Sequence, residues 1–304
     1  MKPRTSDICL TAVAPAIWGS TYIVTTEYLA GFSPITVAML RALPAGLLLL
    51  AFVRQLPTGV WWLRVFILGA LNFSFFLSML FVAAYRLPGG VAATVGSVQP
   101  LFVVFLAYVV LGAPIRLLSI VSALVGAAGV ALLVLAPSAA LDPVGLAAGL
   151  AGAGAMACGT VLSRKWQPPV SAITFSAWQL TAGGLLLVPV ALYYQPVLPM
   201  PTVTHLLALG WLGLVGMALT YVLWLRGIAR LDSSSVSSLL LLSPVAAVLL
   251  GWLGLGQTMT PLQICGGSLV MVSIWLAQKA ARPVTRPVTA ETTGKPTFTD
   301  HPAR

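Results

Sequence analysis

Apolar residues come in runs of about 20 along nearly the whole chain, and short polar or Pro/Gly-marked breaks separate them. A helix of that length crosses roughly 30 Å of hydrocarbon. The pattern predicts ten helices, over residues 8–29, 34–54, 61–84, 89–111, 114–136, 143–164, 170–193, 204–228, 233–253 and 260–280. The breaks fall at Gly31 to Pro34, Pro57 to Gly59, Pro88 to Gly90, Pro168-Pro169 and Pro196 to Pro201. The expected fold class is an all-α membrane protein. Beyond residue 280 the pattern stops. Pro283, Pro287, Pro296 and Pro302 stand among threonines with few apolar neighbours, so residues 281–304 read as a disordered tail.

Composition agrees with a membrane setting. Apolar residues make up 59% and charged residues 7%, where a soluble domain carries about 25% charge. Mean hydropathy is +1.00. The net charge of +10 raises nucleic acid as a partner. Its placement excludes that reading, because the basic residues stand singly between apolar runs. They instead set topology. With the N-terminus inside, every Lys and Arg of the 16 except Arg41 and Arg86 falls on the cytoplasmic side. Both termini are then cytoplasmic and the number of crossings is even. The competing reading of the first run is a cleaved signal peptide, from Lys2, Arg4 and Ala14-Pro15-Ala16. It leaves nine spans and spoils the charge pattern. Cys9, Cys158 and Cys265 lie within apolar runs, with no disulfide framework or metal-ligand spacing.

The chain also repeats itself. A shift of 144 puts Leu68-Gly69 on Leu212-Gly213, Arg86-Leu87 on Arg230-Leu231, Pro100 on Pro244 and Leu111-Gly112 on Leu255-Gly256. A shift of 138 upstream puts Ile35-Thr36 on Ile173-Thr174 and Gly46 on Gly184. The copies span 5–136 and 143–280, five predicted helices each. An odd number of crossings per copy turns the second upside down relative to the first, the architecture of alternating-access transporters.

Few residues offer chemistry. The chain has no G-x-x-x-x-G-K-[ST] phosphate loop, no H-E-x-x-H and no G-x-S-x-G. No His, Asp or Glu lies deep in a predicted span, so no catalytic residue, metal site or cofactor is expected. Arg41 is placed about two turns into helix 2 and Glu27 near the end of helix 1. These helices are antiparallel neighbours, so the two residues are candidates for an ion pair or gate at the external mouth. The alternative is a structural pair, or an arginine reaching outward to the headgroups. Arg41 falls on Gln179 in the second copy, so the charge is not duplicated. Asn72, Gln99 and Gln179 are amides within spans, which face the bundle interior. They are candidates to line a cavity or to bond between helices. Trp18, Tyr22, Tyr221 and Trp224 are deep aromatics that serve either a solute or ordinary packing. Pro100 and Pro244 interrupt matched helices, which points to a transport path or to a packing kink.

Trp18-Gly19-Ser20-Thr21-Tyr22, Leu40-Arg41-Ala42-Leu43-Pro44, the run from Ala83 to Ala93, and Ala177-Trp178-Gln179-Leu180 carry a resemblance. The chain resembles the drug/metabolite transporter superfamily, and within it the ten-helix PecM-like permeases with two EamA-type repeats. The resemblance covers about residues 5–280. It implies a basket whose helices 1, 3, 4, 6, 8 and 9 line a central cavity. Trp18, Tyr22, Asn72, Phe76, Gln99, Tyr221 and Trp224 would then be the substrate-cavity candidates, with Gln179 more peripheral. Many relatives close helices 4 and 9 with Gly-Glu, where this chain has Gly112-Ala113 and Gly256-Gln257.

The expected function is a secondary transporter of the bacterial inner membrane that exports small organic metabolites such as amino acids, related compounds or drugs. Alternatives are a uniporter or exchanger that imports a metabolite, a pore, and a non-transporting scaffold. The expected partners are a small-molecule solute and the lipid bilayer, without nucleic acid or an ATPase subunit. Proton coupling stays open, since Glu27 is its one candidate carrier and lies at the periphery.

Overall fold

The computed structural model describes residues 5–29, 31–86, 95–134, 142–195, 197–256 and 260–280. Regular structure among them is helical throughout, in ten stretches. Backbone donors and acceptors find no water in hydrocarbon, and a helix satisfies them within one segment. We number the stretches α1 (Thr5–Tyr28), α2 (Pro34–Val53), α3 (61–86), α4 (Gln99–Leu111), α5 (Leu117–Val134), α6 (Pro143–Lys165), α7 (Ala172–Tyr194), α8 (Val203–Arg230), α9 (233–255) and α10 (Pro261–Ala280). Eight are long and apolar enough to cross a membrane, and α4 and α5 are shorter apolar helices.

The described helices depart from the sequence reading in two main places. Helix α1 begins at Thr5 rather than residue 8, with Asp7 in its first turn. The start expected at residue 89 for helix 4 lies outside the described residues, as does the tail 281–304. Helix α9, expected to be continuous, breaks at residues 240–241. Proline cannot donate to the carbonyl one turn back. Ahead of Pro244 the chain therefore tightens into bonds three residues apart, Leu241 N to Ser238 O at 3.2 Å and Ser243 N to Leu240 O at 3.0 Å. Ahead of Pro100 the same occurs, with Val98 N to Val95 O at 3.3 Å.

The sequence repeat returns as matched local structure. Ser33 and Ser171 cap α2 and α7 alike, each accepting from the backbone N of Thr36 or Thr174 at 3.1 Å. Gly112 and Gly256 end α4 and the last part of α9 in the left-handed conformation, both at φ 65 ψ 19, which favours glycine. Inside α3 lies a π-helical turn, Ala70–Ser74, and inside α8 a longer one, Trp211–Leu219. The shift of 144 puts the first within the second.

Packing follows the same symmetry. Helix α2 packs on α7, and α5 on α10. Helix α1 packs on α8 and α9, and its counterpart α6 packs on α3 and α4. Close approach of α5 and α10 depends on glycine, since a methyl group built at Gly129 or Gly266 meets the backbone of the other helix within 3 Å.

Contacts at the helix ends define two faces. On one, Asp7 meets Arg226 and Arg230, Trp178 Nε1 donates to Gln55 O, and Gln278 Nε2 donates to Ser235 O. This basic face carries Arg54, Arg64, Arg116, Arg164, Lys165 and Lys279 at the ends of their helices or in the adjoining turns. On the opposite, distal face, Arg86 pairs with Asp142, Gln195 bridges Ser33 N and Gly31 O, and Phe32 meets His205 edge-on. Ser33 and Ser171, matched in sequence, cap helices that start from opposite faces. The two halves are therefore inverted with respect to each other.

Candidate functional site

A cavity of about 540 Å³ lies between the two halves. That volume falls in the range of about 300–1,000 Å³ usual for small-molecule sites. Its wall draws on both copies: Trp18, Thr21 and Thr25 of α1, Phe76 and Leu80 of α3, Met156 of α6, and Met217 and Tyr221 of α8. Helix α2 contributes Val37, Ala38 and Arg41, beyond the six helices the resemblance implies. The wall runs from the distal ends of α1 and α2, at Thr25 and Pro34, to the middle of α8 and α9, at Tyr221 and Leu240.

Toward the basic face the bundle is filled. Trp18 stands over Trp224 at 5.3 Å and beside Tyr221 at 5.1 Å, and Tyr221 meets Phe73 at 4.6 Å. Below this aromatic layer Leu225, Ile228, Leu231, Val236 and Leu239 are all buried in one core. At the surface, Asp7 accepts from Arg226 at 2.6 Å and from Arg230 at 3.2 Å. Arg164 reaches from the end of α6 to the carbonyls of Ile228 and Leu231, which satisfies the end of α8. The cavity is thus sealed toward the basic face by packing and by charge.

The aromatic floor has a polar lock. Trp18 Nε1 donates to Gly216 O at 3.0 Å and to Thr220 Oγ1 at 2.9 Å. Gly216 lies in the π-helical stretch of α8, where the backbone bonding is displaced from the α register. The indole therefore ties α1 to the irregular part of α8.

The sequence candidates divide. Trp18, Phe76, Gln99, Tyr221, Arg41, Pro100 and Pro244 all border the cavity. Gln99 is 4% exposed, and neither of its amide atoms has a hydrogen-bond partner among the described residues. The side chain of Tyr22 lies outside the described residues. Trp224 is 1% exposed and supports Trp18 from beneath rather than lining the space. Asn72 is likewise not among the wall residues, and it makes the interhelical bonds that were its alternative role. Its amide donates to Gln179 Oε1 at 2.8 Å and to Ser163 Oγ at 3.4 Å, joining α3, α7 and α6. Gly159 leaves room for it, since a methyl group there would overlap Asn72 Oδ1. Glu27 is exposed, and the pair expected between Glu27 and Arg41 is not among the ion pairs of the described residues. Arg41 reaches Thr21 Oγ1 at 3.4 Å.

Sequence reasoning missed Met156, Met217 and the small α6 residues Gly149, Gly152 and Ala153 as wall residues. The repeat held a signal for Met156, since the shift of 138 puts Trp18 on it. It also missed the cap at Asp142, where the carboxylate accepts from Val144 N and Gly145 N. Those bonds, then Arg86, hold the Asp142 carboxyl below its ordinary range.

Comparison with known proteins gives four findings. A profile of the EamA-like transporter family matches the chain twice, over residues 5–135 and 143–278. Protein PecM of Dickeya dadantii (strain 3937) is 41% identical over 267 residues, 87% of this chain and 90% of PecM. The uncharacterized inner membrane transporter YedA of Escherichia coli (strain K12) is 28% identical over 282 residues, 90% of this chain and 92% of YedA. A crystal structure 22% identical in sequence superposes with a TM-score of 0.79, over 91% of this chain and all of that one.

Proposed function

Since the chain belongs to the EamA-like transporter family, we propose that it is a secondary transporter of the bacterial inner membrane that exports small organic metabolites by alternating access. It is a multi-pass membrane protein, and its ten helices make ten crossings with both termini in the cytoplasm. The basic face is then cytoplasmic by the positive-inside rule.

The observation that carries the reading is the cavity. It lies between two inverted halves, has the volume of a small-molecule site, and is sealed toward the basic face. That arrangement is the outward-open half of a two-state cycle. In the other state the halves rock about the cavity and the Asp7 cluster parts. The matched breaks before Pro100 and Pro244 sit in the wall, so the interrupted backbone borders the solute path rather than lipid. No acidic side chain is among the described wall residues. We therefore favour facilitated diffusion or exchange over obligatory proton antiport.

Purified protein in liposomes tests both parts. Candidate metabolites are loaded inside, and flux is measured with and without a pH gradient and with unlabelled solute on the far side. Saturable counterflow without a gradient is expected. Linear, non-saturable flux refutes alternating access, and flux that vanishes without the gradient refutes uncoupled transport.

A further inference from the structure

The charge and shape of the cavity narrow the solute. Arg41 is the one charged side chain among the described residues of the wall. It reaches Thr21 Oγ1, and the wall also carries the hydroxyls of Thr25 and Tyr221, with no aspartate or glutamate among its described residues. The rest of the wall is largely carbon. The Trp18 N–H is committed to α8, so its ring presents only an apolar face, and Phe76 and Met217 continue that surface. Gln99, at the break before α4, is buried, and its amide has no partner among the described residues.

We propose that the solute is an organic anion, a carboxylate carried on an apolar or aromatic body, and that the cavity discriminates against organic cations. The inference rests on this cavity being the solute path proposed above. A guanidinium is planar and permanently charged, and its donors match a carboxylate two at a time. Beside a mostly apolar wall that interaction is stronger than in bulk solvent. A cation of the same shape meets repulsion from Arg41 and finds no carboxylate among the described wall residues. The apolar body lies against Trp18 and Phe76.

The test uses three compounds of one shape and different charge: N-acetylphenylalanine (anion), phenylalanine (zwitterion) and phenylalaninamide (cation). The full chain, with Cys9, Cys158 and Cys265 changed to Ala, carries Ser243→Cys in the cavity wall, or Ala153→Cys should that variant not fold. It is placed in lipid nanodiscs and labelled with neutral N-ethylmaleimide. N-acetylphenylalanine is expected to slow labelling at a concentration at least tenfold lower than phenylalaninamide. Arg41→Lys should keep that order and Arg41→Gln should abolish it. Protection by phenylalaninamide equal to that by the anion, a preference unchanged in Arg41→Gln, or protection by none of the three overturns the assignment. Counterflow of the same compounds separates this from the transport reading. Anion protection without exchange sinks transport and leaves the assignment standing. Exchange of phenylalaninamide in preference to the anion sinks the assignment and leaves transport standing.

Discussion

Asp7→Asn should release the basic face and move the protein toward its inward-open state. Asp7 is 13% exposed and bonds Arg226, itself 26% exposed, at 2.6 Å. Its second partner, Arg230, is 54% exposed. Removing one member of a fully buried pair costs about 3–5 kcal/mol, whereas an exposed pair is worth about 0.2–1 kcal/mol. The Arg226 bond lies between these limits at about 1.5 kcal/mol, and the Arg230 contact adds about 0.5 kcal/mol or less. Asparagine keeps the size of the side chain and leaves the Thr11 hydroxyl bonded to the backbone O of residue 7. The substitution therefore removes charge and little else. A loss near 2 kcal/mol changes the ratio of the two states about 30-fold, at about 1.4 kcal/mol per tenfold. The assay is thiol reactivity of Ser235→Cys in the cysteine-free chain. Ser235 is 1% exposed, on the basic side of the seal. A minor inward-open population limits its labelling, so the rate should rise by about the same factor in Asp7→Asn. An unchanged labelling rate at position 235, with thermal stability also unchanged, would show that the cluster does not hold the face shut.

Other consequences are equally direct. Gly159→Ala should push Asn72 off Gln179 and lower stability by about 1–3 kcal/mol, the cost of a buried amide left without partners. Thermal unfolding in detergent measures it, and combining it with Asn72→Ala should give less than the sum of the single losses. Trp18→Phe keeps the ring and removes the donor to Gly216 O and Thr220 Oγ1, for an expected loss of about 1 kcal/mol. An equal melting temperature would mean that the indole lock holds nothing. Asp142 has a lowered carboxyl pKa, so its capping contribution is complete above the ordinary value near 3.8 and disappears as pH falls through the lower one. The gap in melting temperature between the wild type and Asp142→Ala should therefore be constant from pH 8 to about pH 5 and close only below about pH 4.

Much of the architecture was legible because hydrocarbon leaves the chain few options. A run of about 20 apolar residues has to be a helix there, and its charge flanks set its direction. The repeat was legible for a related reason. Pro100 and Pro244, or Gly112 and Gly256, are residue types the backbone geometry demands, and they stand in the sequence at a fixed spacing. The π-helical turns were not legible. They involve no proline, and groups within them meet partners far away in sequence, Gly216 O with Trp18 Nε1 and Ser74 Oγ with Gly183 O. The site was legible in part for the same reason. Arg41, Gln99 and the aromatics could be ranked by what each costs to face lipid. Whether an amide meets a solute or another helix depends on side chains on helices far away in sequence. Asn72 found Gln179 and Ser163, and Gln99 found no partner among the described residues.

Positions 72 and 216 show what inverted duplication leaves free. Both lie in a π-helical turn at the middle of matched helices, so both can offer bonds that a regular helix would use internally. In the first copy the residue is asparagine, whose side chain ties α3 to α6 and α7 of the second copy. In the second it is glycine, whose bare backbone lets the Trp18 indole reach its carbonyl and tie α8 to α1 of the first. Both bonds join helices of different copies, so a rocking motion between the halves has to strain both. The symmetry thus supplies two equivalent irregularities, and the side chains decide how each is tied to the opposite copy, through an amide at one and through a bare carbonyl at the other.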